Sequence, residues 1–230
     1  MDRVSTGVTG FDELVSGGLP KNSLTLLTGT CGTGKTTFCA EFLYNGATKF
    51  GEKGLMISFE ETPDMIKSDM GQYGFDFETL EKEKKVAFMK YDPYHLEDVF
   101  DIIESNVKIF GATRVCIDSI SALGLYVRDI PELRRMIFNI GMTLRRLNCT
   151  SIVTSEIPPG SSGISRFGVE EFIADGVVVL YYFKTESTFT RAITIWKMRA
   201  TNHSKKIHPY TMGEGGLVIY PKEEAVTKGL

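Results

Sequence analysis

One short stretch of the sequence combines glycines, a lysine and threonines at a spacing that suits phosphate binding. Residues 29–37 read GTCGTGKTT, which satisfies the pattern GxxxxGK[ST] from Gly29 to Thr36. Glycines let the backbone wrap closely around an anion, so that successive N–H groups point at its oxygens. In this pattern Lys35 reaches the β- and γ-phosphates of a nucleotide, and the Thr36 hydroxyl binds Mg²⁺. The stretch therefore predicts a nucleoside-triphosphate site rather than a chance turn.

Acidic residues at the ends of two other apolar runs are candidates to complete such a site. Asp118 closes the run VCID, and we predict that it holds Mg²⁺ together with Thr36 through water. A turn residue or a helix N-cap is the alternative for this aspartate. Glu60 and Glu61 follow another run, and one of them is predicted to position water for hydrolysis. Their alternative role is to cap a helix that begins at Pro63.

Six short runs of β-branched and aliphatic residues are predicted to be the strands that carry these side chains. They begin at Ser23, Gly54, Lys85, Arg114, Thr150 and Asp175. Several are apolar throughout, which is typical of strands buried on both faces. Stretches of helical period lie at 38–47, 96–107 and 133–147. The alternation predicts an α/β fold with a mostly parallel sheet and helices on both faces, and antiparallel strands after Asp175.

Length and composition favour one ordinary globular domain. The chain has 230 residues, of which 42% are hydrophobic and 24% charged, so we expect a single domain over 1–222 and a short charged tail over 223–230. No stretch resembles a signal peptide or a membrane span, which predicts a cytoplasmic protein that does not bind membranes. The net charge of −3 gives no global attraction to DNA.

The four cysteines are scattered and show no CxxC spacing. They lie at Cys31, Cys39, Cys116 and Cys149. This spacing favours neither a zinc site nor a redox pair, and a disulfide framework is not expected in a chain of this size. We predict that they are small buried side chains.

Taken together, these stretches resemble the RecA-like ATPases, and specifically the KaiC family. The matching segments are TGVTGFDELVSGGLP, GTCGTGKTT, EFLYNG, FEETP, CIDSIS, TSE, RFGVEEFIADGVV and KMRATNH, between Thr6 and about Tyr220. The resemblance implies a RecA-type core that forms a homo-oligomeric ring, commonly a hexamer, with ATP held between subunits. The loop residues expected to contact ATP are Thr30, Gly32, Thr33, Gly34, Lys35, Thr36 and Thr37.

The segment KMRATNH gains a role only through this resemblance. In the family its two cations, here Lys197 and Arg199, reach the γ-phosphate of the next subunit's ATP, and His203 contacts that nucleotide. Met198, between the cations, is included in this predicted contact. Alternation along a strand would place Lys197 and Arg199 on one face. By spacing alone, the segment is more typical of a strand end exposed to solvent.

Two departures from the clock proteins of this family limit what the resemblance implies. Those proteins carry two tandem domains and this chain one, so a role in timekeeping is not implied. One of their domains uses an adjacent Ser and Thr as phosphoacceptors, and the matching positions here are Glu171 and Phe172. Autophosphorylation at this place is therefore not implied either.

Two basic features keep nucleic acid open as an alternative partner. Arg134 and Arg135 recur eleven residues later as Arg145 and Arg146, and therefore share one helix face. Such a stripe either tracks phosphates, pairs with acids of an adjoining subunit or lies in solvent. The loop 158–168 carries a further arginine and is a candidate contact for a single strand or a partner protein. We expect an ATPase coupled to a regulatory partner, with a nucleic-acid-binding ATPase or a nucleotide-switched scaffold as the alternative.

Overall fold

The computed structural model describes residues 2–92, 98–185 and 188–225. Its strands are β1 (Arg3–Val4), β2 (Leu19–Pro20), β3 (Leu24–Gly29), β4 (Gly54–Ser58), β5 (Val86–Lys90), β6 (Arg114–Asp118), β7 (Thr150–Glu156), β8 (Gly176–Thr185), β9 (Thr188–Met198), β10 (Ile207–Gly213) and β11 (Gly216–Ile219). Its α-helices are α1 (Phe11–Leu14), α2 (Lys35–Lys49), α3 (Pro63–Gly71), α4 (Phe77–Lys82), α5 (Val99–Phe110), α6 (Ile130–Arg146) and α7 (Glu170–Ile173). A 3₁₀ helix spans Ile120–Leu125.

One large sheet organises the described ranges. Its strand order is β11-β10-β9-β8-β3-β7-β6-β4-β5, and β1 with β2 forms a separate antiparallel pair. Pairing is parallel from β8 to β5 and antiparallel from β8 through β9 and β10 to β11. All six predicted runs are strands, so the α/β fold with antiparallel strands at the C-terminal end is confirmed.

Helices cover both faces of this sheet and bury two apolar cores. Neighbouring β3 residues divide between them, since Leu27 faces the core under α2 whereas Leu26 faces the core under α5 and α6. The predicted helical stripes are buried, for example at Phe38 and Phe42 in α2 and at Ile137 in α6. Leu96, predicted to begin the α5 stripe, lies outside the described residues. No helix within the described ranges is long and apolar enough to cross a membrane.

The cysteines only partly follow the sequence-based prediction. Cys39, Cys116 and Cys149 are buried and free, as expected, but Cys31 is exposed. The prediction was wrong for Cys31 because this residue lies in the glycine-rich loop, which projects from the end of β3 beyond the packed layers.

Candidate functional site

The glycine-rich loop joins β3 to α2 at the carboxyl edge of the parallel strands. Gly32 and Gly34 have φ angles of 75° and 86°, a left-handed conformation that glycine adopts without strain. A Cβ at Gly34 would lie 2.6 Å from Sδ of Met212, so a larger residue would also displace the flexible end of that side chain. Within the loop, Oγ1 of Thr33 donates to the Thr30 carbonyl at 2.9 Å. The N-terminus of α2 has no side-chain cap, which leaves its first N–H groups available to an anion.

Lys35 is held against the loop that precedes it. Its Nζ donates to the carbonyl oxygens of Gly29 and Thr30, both at 3.0 Å. Burial lowers the pKa of Lys35, and the carboxylates of Asp118 and Glu156 act in the opposite direction. A phosphate at this position would offer the ammonium group a full opposite charge in place of two carbonyl dipoles.

Asp118 joins the loop helix to the centre of the sheet. Its Oδ2 accepts a hydrogen bond from Thr36 Oγ1 at 2.6 Å, and its Oδ1 accepts one from Thr154 Oγ1 at 2.5 Å. A hydroxyl and a carboxylate are the hard oxygen ligands that Mg²⁺ prefers. No group of three or more His, Cys, Asp or Glu side chains within the described ranges is arranged to hold a metal. The pair therefore fits an ion that takes its remaining ligands from phosphates and water.

Glu60 and Glu61 lie in the turn after β4, where Ser58 Oγ accepts from their backbone N–H groups at 3.3 and 2.9 Å. Neither glutamate caps the helix that follows. Thr62 is the N-cap of α3, and its side chain accepts from the backbone N–H of Met65. The alternative prediction, that the glutamates cap this helix, is therefore wrong.

The surroundings of the two glutamates differ. Glu61 lines a cleft of about 360 Å³ whose other walls include Gly32, Gly34, Lys35, Thr36 and Thr37. Glu60 instead accepts a hydrogen bond from Ser119 Oγ at 3.2 Å. Burial raises the pKa of both carboxyl groups, and the charge of Asp118 adds to both shifts. A carboxylate with a raised pKa binds a proton more readily, which suits a group that accepts one from water.

The antiparallel strands close the other side of the loop with residues that the sequence analysis missed. Arg191 of β9 donates to the Gly32 carbonyl at 3.1 and 3.2 Å, and its guanidinium lies 4.5 Å from the ring centroid of Tyr182. Tyr210 of β10 donates its hydroxyl to the Thr33 carbonyl at 2.6 Å. The local pattern around these residues gives no signal, because their contacts depend on the order of the strands.

Residues 197–203 lie at the opposite edge of the sheet from the glycine-rich loop. Gly29, at the end of β3, aligns with Leu180 of β8. Gly176, at the start of β8, aligns with Met198 at the end of β9. Four residues of extended strand separate these levels, which is about 13 Å at about 3.3 Å per residue. The structure thus does not bring this segment to the loop of its own chain.

The two cations of this segment contact the end of α7 and the start of β8. Lys197 Nζ donates to the carbonyl oxygens of Glu171 at 3.0 Å and Ala174 at 2.6 Å. Arg199 Nη1 lies 3.5 Å from Oδ1 of Asp175. Burial lowers the pKa of Lys197, and the charge of Arg199 acts in the same direction. The cations are close together, although β9 ends before Arg199 and strand alternation does not place that side chain.

The remaining residues of the segment make contacts within their own chain. Met198 is 4% exposed, so its side chain is not available to a ligand. Nδ1 of His203 lies 2.8 Å from the Ser204 carbonyl oxygen. Arg3 Nη2 donates to the Ala200 carbonyl at 3.2 Å, which ties the segment to β1.

Comparisons with known proteins agree with the motifs and the geometry. A family model described as the KaiC ATPase matches residues 4–224. The UPF0273 protein MJ1359 of Methanocaldococcus jannaschii is 35% identical over 96% of this chain and 97% of its own length. The circadian clock oscillator protein KaiC of Prochlorococcus marinus is 33% identical over 96% of this chain but only 46% of its own length. The crystal structure of the KaiC-like protein PH0186 of Pyrococcus horikoshii matches with a TM-score of 0.88 and 39% identity, covering 96% of this chain and 99% of that one. The chain therefore belongs to the KaiC family of ATPases.

Proposed function

We propose that the chain is a Mg²⁺-dependent ATPase that works at the subunit interfaces of a homo-oligomeric ring, which we take to be a hexamer. Membership of the KaiC family supports ATP binding and hydrolysis. The observation that carries the shared site is the position of Lys197 and Arg199, at the sheet edge away from their own glycine-rich loop. Cations in that place complete a nucleotide site only if the nucleotide is bound by another copy.

The residues around the loop bind the triphosphate and hold the metal. Lys35 and the loop amides bind the β- and γ-phosphates. Thr36 and Asp118 hold Mg²⁺, which supplies charge neutralisation at the phosphate oxygens when bound. Thr154 fixes the orientation of the Asp118 carboxylate through its hydroxyl.

Hydrolysis then needs a base and a cation at the γ-phosphoryl group. We assign the base to Glu61, because this glutamate lines the cleft together with Lys35. Glu60 supports it from the same turn. Arg199 of the neighbouring copy stabilises the charge that develops on the transferred group, an effect worth about 10³ to 10⁵ in rate. Lys197 and His203 of that copy complete the contacts.

Two substitutions separate binding from turnover. Lys35→Ala is expected to abolish tight ATP binding, because the phosphates lose their only cation from the loop itself. Arg199→Ala is expected to leave ATP binding intact and to lower turnover about 10³-fold or more. Calorimetric ATP titration and phosphate release measure the two effects. Near-normal hydrolysis by the Lys35 variant would contradict the phosphate site, and unchanged turnover by the Arg199 variant would contradict the cation from a neighbour.

A second candidate is a nucleotide-switched binding module, and one ion pair favours it. Burial lowers the pKa of Lys35, and Glu156 lies close enough for its charge to oppose this shift. Glu156 also pairs with Arg166 at 3.3 Å. Arg166 stands near the end of the Gly/Ser loop 158–168, so the pair links this loop to the nucleotide site. In this hypothesis, bound ATP controls whether the loop binds a partner protein or a nucleic acid.

The discriminating experiment for this candidate measures coupling in both directions. A switched module must change its affinity for a partner when ATP replaces ADP, and the partner must change the affinity for ATP equally. Salt-sensitive retention of single-stranded DNA would indicate a nucleic-acid partner. Equal DNA retention with ATP and ADP would count against a switch.

A further inference from the structure

A basic groove with exposed aromatic side chains runs along α6 and α7. It has a volume of about 470 Å³, and we call it the arginine groove after Arg134, Arg135, Phe138, Arg145, Phe172 and Arg199, which line it. Phe138 is 50% exposed and Phe172 is 62% exposed. The guanidinium of Arg134 lies 5.9 Å from the ring centroid of Phe172. Exposed aromatic side chains beside arginines are enriched where proteins bind other proteins.

The positive charge of this groove is only partly neutralised by its own chain. Arg145 and Arg199 share the carboxylate of Asp175, at 2.5 and 3.5 Å. Arg135 reaches Glu132 only at 3.9 Å. Arg134 forms no ion pair with any residue in the described ranges. Four guanidinium groups thus face two carboxylates, which leaves the groove positive.

An acidic surface lies on the other face of the sheet, on α3 and α4. We define it by four exposed side chains, Asp64, Asp69, Asp76 and Glu78. Lys67 is already engaged by Asp64 at 3.2 Å and Glu81 at 2.8 Å. Lys82 of α4 offsets part of the charge, since it helps to lower the pKa of Asp76 after the hydrogen bonds from Thr79. Asp69 also lines the cleft that contains Lys35. The acidic surface therefore borders the candidate nucleotide site.

We propose that the arginine groove of one copy docks on the acidic surface of the next copy. This inference rests on the proposed function, because it takes Arg199 to reach a neighbour's nucleotide. Arg199 lines the groove and Asp69 lines the cleft, so an arrangement that joins them also brings the two surfaces together. Surfaces of opposite charge on opposite faces of the sheet give a head-to-tail contact, which is the kind that closes into rings.

The test uses two charge-reversed variants and their mixture. The first variant, Arg134→Glu with Arg135→Glu, makes the groove acidic, so that two copies repel each other. The second, Asp64→Lys with Glu78→Lys, makes the acidic surface basic, and its copies repel each other likewise. When the two variants are mixed in equal amounts and alternate in the ring, every contact pairs an acidic surface with a basic one. Arg146→Glu, on the same helix but outside the groove, is the matched control.

Mass by light scattering with Mg²⁺ and ATP, over a range of protein concentrations, gives the result. Each variant alone is expected to need at least about tenfold more protein than wild type to assemble, and the mixture is expected to recover wild-type assembly. The control is expected to assemble as wild type, and circular dichroism checks that both variants fold.

Four outcomes would overturn the proposal, and they are distinguishable. Folded variants that each assemble as wild type would contradict the docking of the two surfaces but not the proposed ring. A mixture that stays dissociated would do the same. Wild-type protein that stays monomeric in every condition would contradict the proposed ring as well. If the groove variant assembles normally but loses salt-sensitive retention of single-stranded DNA, the groove belongs to nucleic acid instead.

Discussion

At the scale of single residues, Glu61 and Glu60 are distinguished by the charges around them. Burial is the main cause of the raised pKa of both carboxyl groups. The charges of Asp118 and Asp69 add to the shift of Glu61, whereas those of Glu156 and Asp118 add to the shift of Glu60. A general base works only in its deprotonated form, so its pKa sets the acid limb of the pH–rate profile. The neighbours of each glutamate therefore offer a way to test the proposal that Glu61 is the base.

Asp69→Asn is expected to move the acid limb of kcat/KM to lower pH. The substitution removes a like charge and therefore lowers the pKa of Glu61. Asp64→Asn, at the start of the same helix and 93% exposed, is the control that should leave the limb in place. An Asp69→Asn enzyme with an unshifted acid limb would transfer the role of base to Glu60.

The buried carboxyl group of Glu41 makes stability depend on pH. It is 2% exposed in α2 and accepts a hydrogen bond from the Leu217 N–H at 2.9 Å. Burial raises the pKa of Glu41 from 4.5 to about 7. Since the folded-state pKa exceeds the unfolded value, the stability that the proton supplies is complete below about pH 4.5 and is lost as the pH rises through about 7.

Glu41→Gln is expected to unfold less readily than wild type above pH 7. The amide keeps an oxygen for the Leu217 N–H and carries no charge to desolvate, so the gain is roughly 2 to 3 kcal/mol at pH 8 and vanishes near pH 4.5. Urea unfolding at several pH values measures it. A gain that does not vary with pH, or one matched by the exposed control Glu13→Gln, would contradict the assignment.

At the scale of elements, one buried arginine ties three parts of the chain together. Arg114 at the start of β6 is 1% exposed, and its Nε pairs with Glu52 at 2.5 Å. It also donates to the carbonyl oxygens of Phe42 in α2, at 2.9 Å, and Ser5, at 2.8 Å. The helix that begins with Lys35 is thus fixed to the sheet and to the N-terminal segment through one side chain.

Arg114→Met is expected to lower the free energy of unfolding by about 3 to 5 kcal/mol, because it leaves Glu52 and two carbonyl groups without their donor. Glu52→Gln in the same chain should recover part of the loss. Arg146→Met, which breaks an exposed pair with Glu104, is expected to cost less than about 1 kcal/mol. Equal losses from the two arginines would contradict the role given to burial.

The larger elements were predictable from sequence because burial on both faces leaves a continuous apolar run. At the start of β8, for example, the residues from Val177 to Leu180 are all apolar and all buried. The two-residue strands β1 and β2 were not foreseen, since Arg3 and Val4 are too few to show a period. Their place depends on contacts with distant parts of the chain.

The candidate site was predictable only where its chemistry is local. The loop from Gly29 to Thr36 carries its own pattern, but the partners Arg191 and Tyr210 come from strands placed beside it by the sheet order. Thr154 left one usable signal, a polar residue near the carboxyl end of an apolar strand. Such a residue is positioned to meet the acid of the neighbouring strand, here Asp118.

At the scale of the whole molecule, the antiparallel return of β9 decides where the late cations stand. Because β9 runs against β8, its end meets the start of β8 and therefore the edge of the sheet away from the glycine-rich loop. One copy thus carries the candidate phosphate site at one edge and a cationic segment at the other. The central claim is that these two halves form one active site only between neighbouring copies.

Mixing two inactive variants tests this claim most directly. The Lys35→Ala variant keeps Arg199, and the Arg199→Ala variant keeps Lys35. When both are assembled together in equal amounts, a site with both residues intact forms wherever the first variant stands next to the second in the right order. Random assembly therefore predicts recovery of about one quarter of the wild-type ATPase rate, although each variant alone is inactive. Mixed assemblies of wild-type mass that remain inactive would contradict the account.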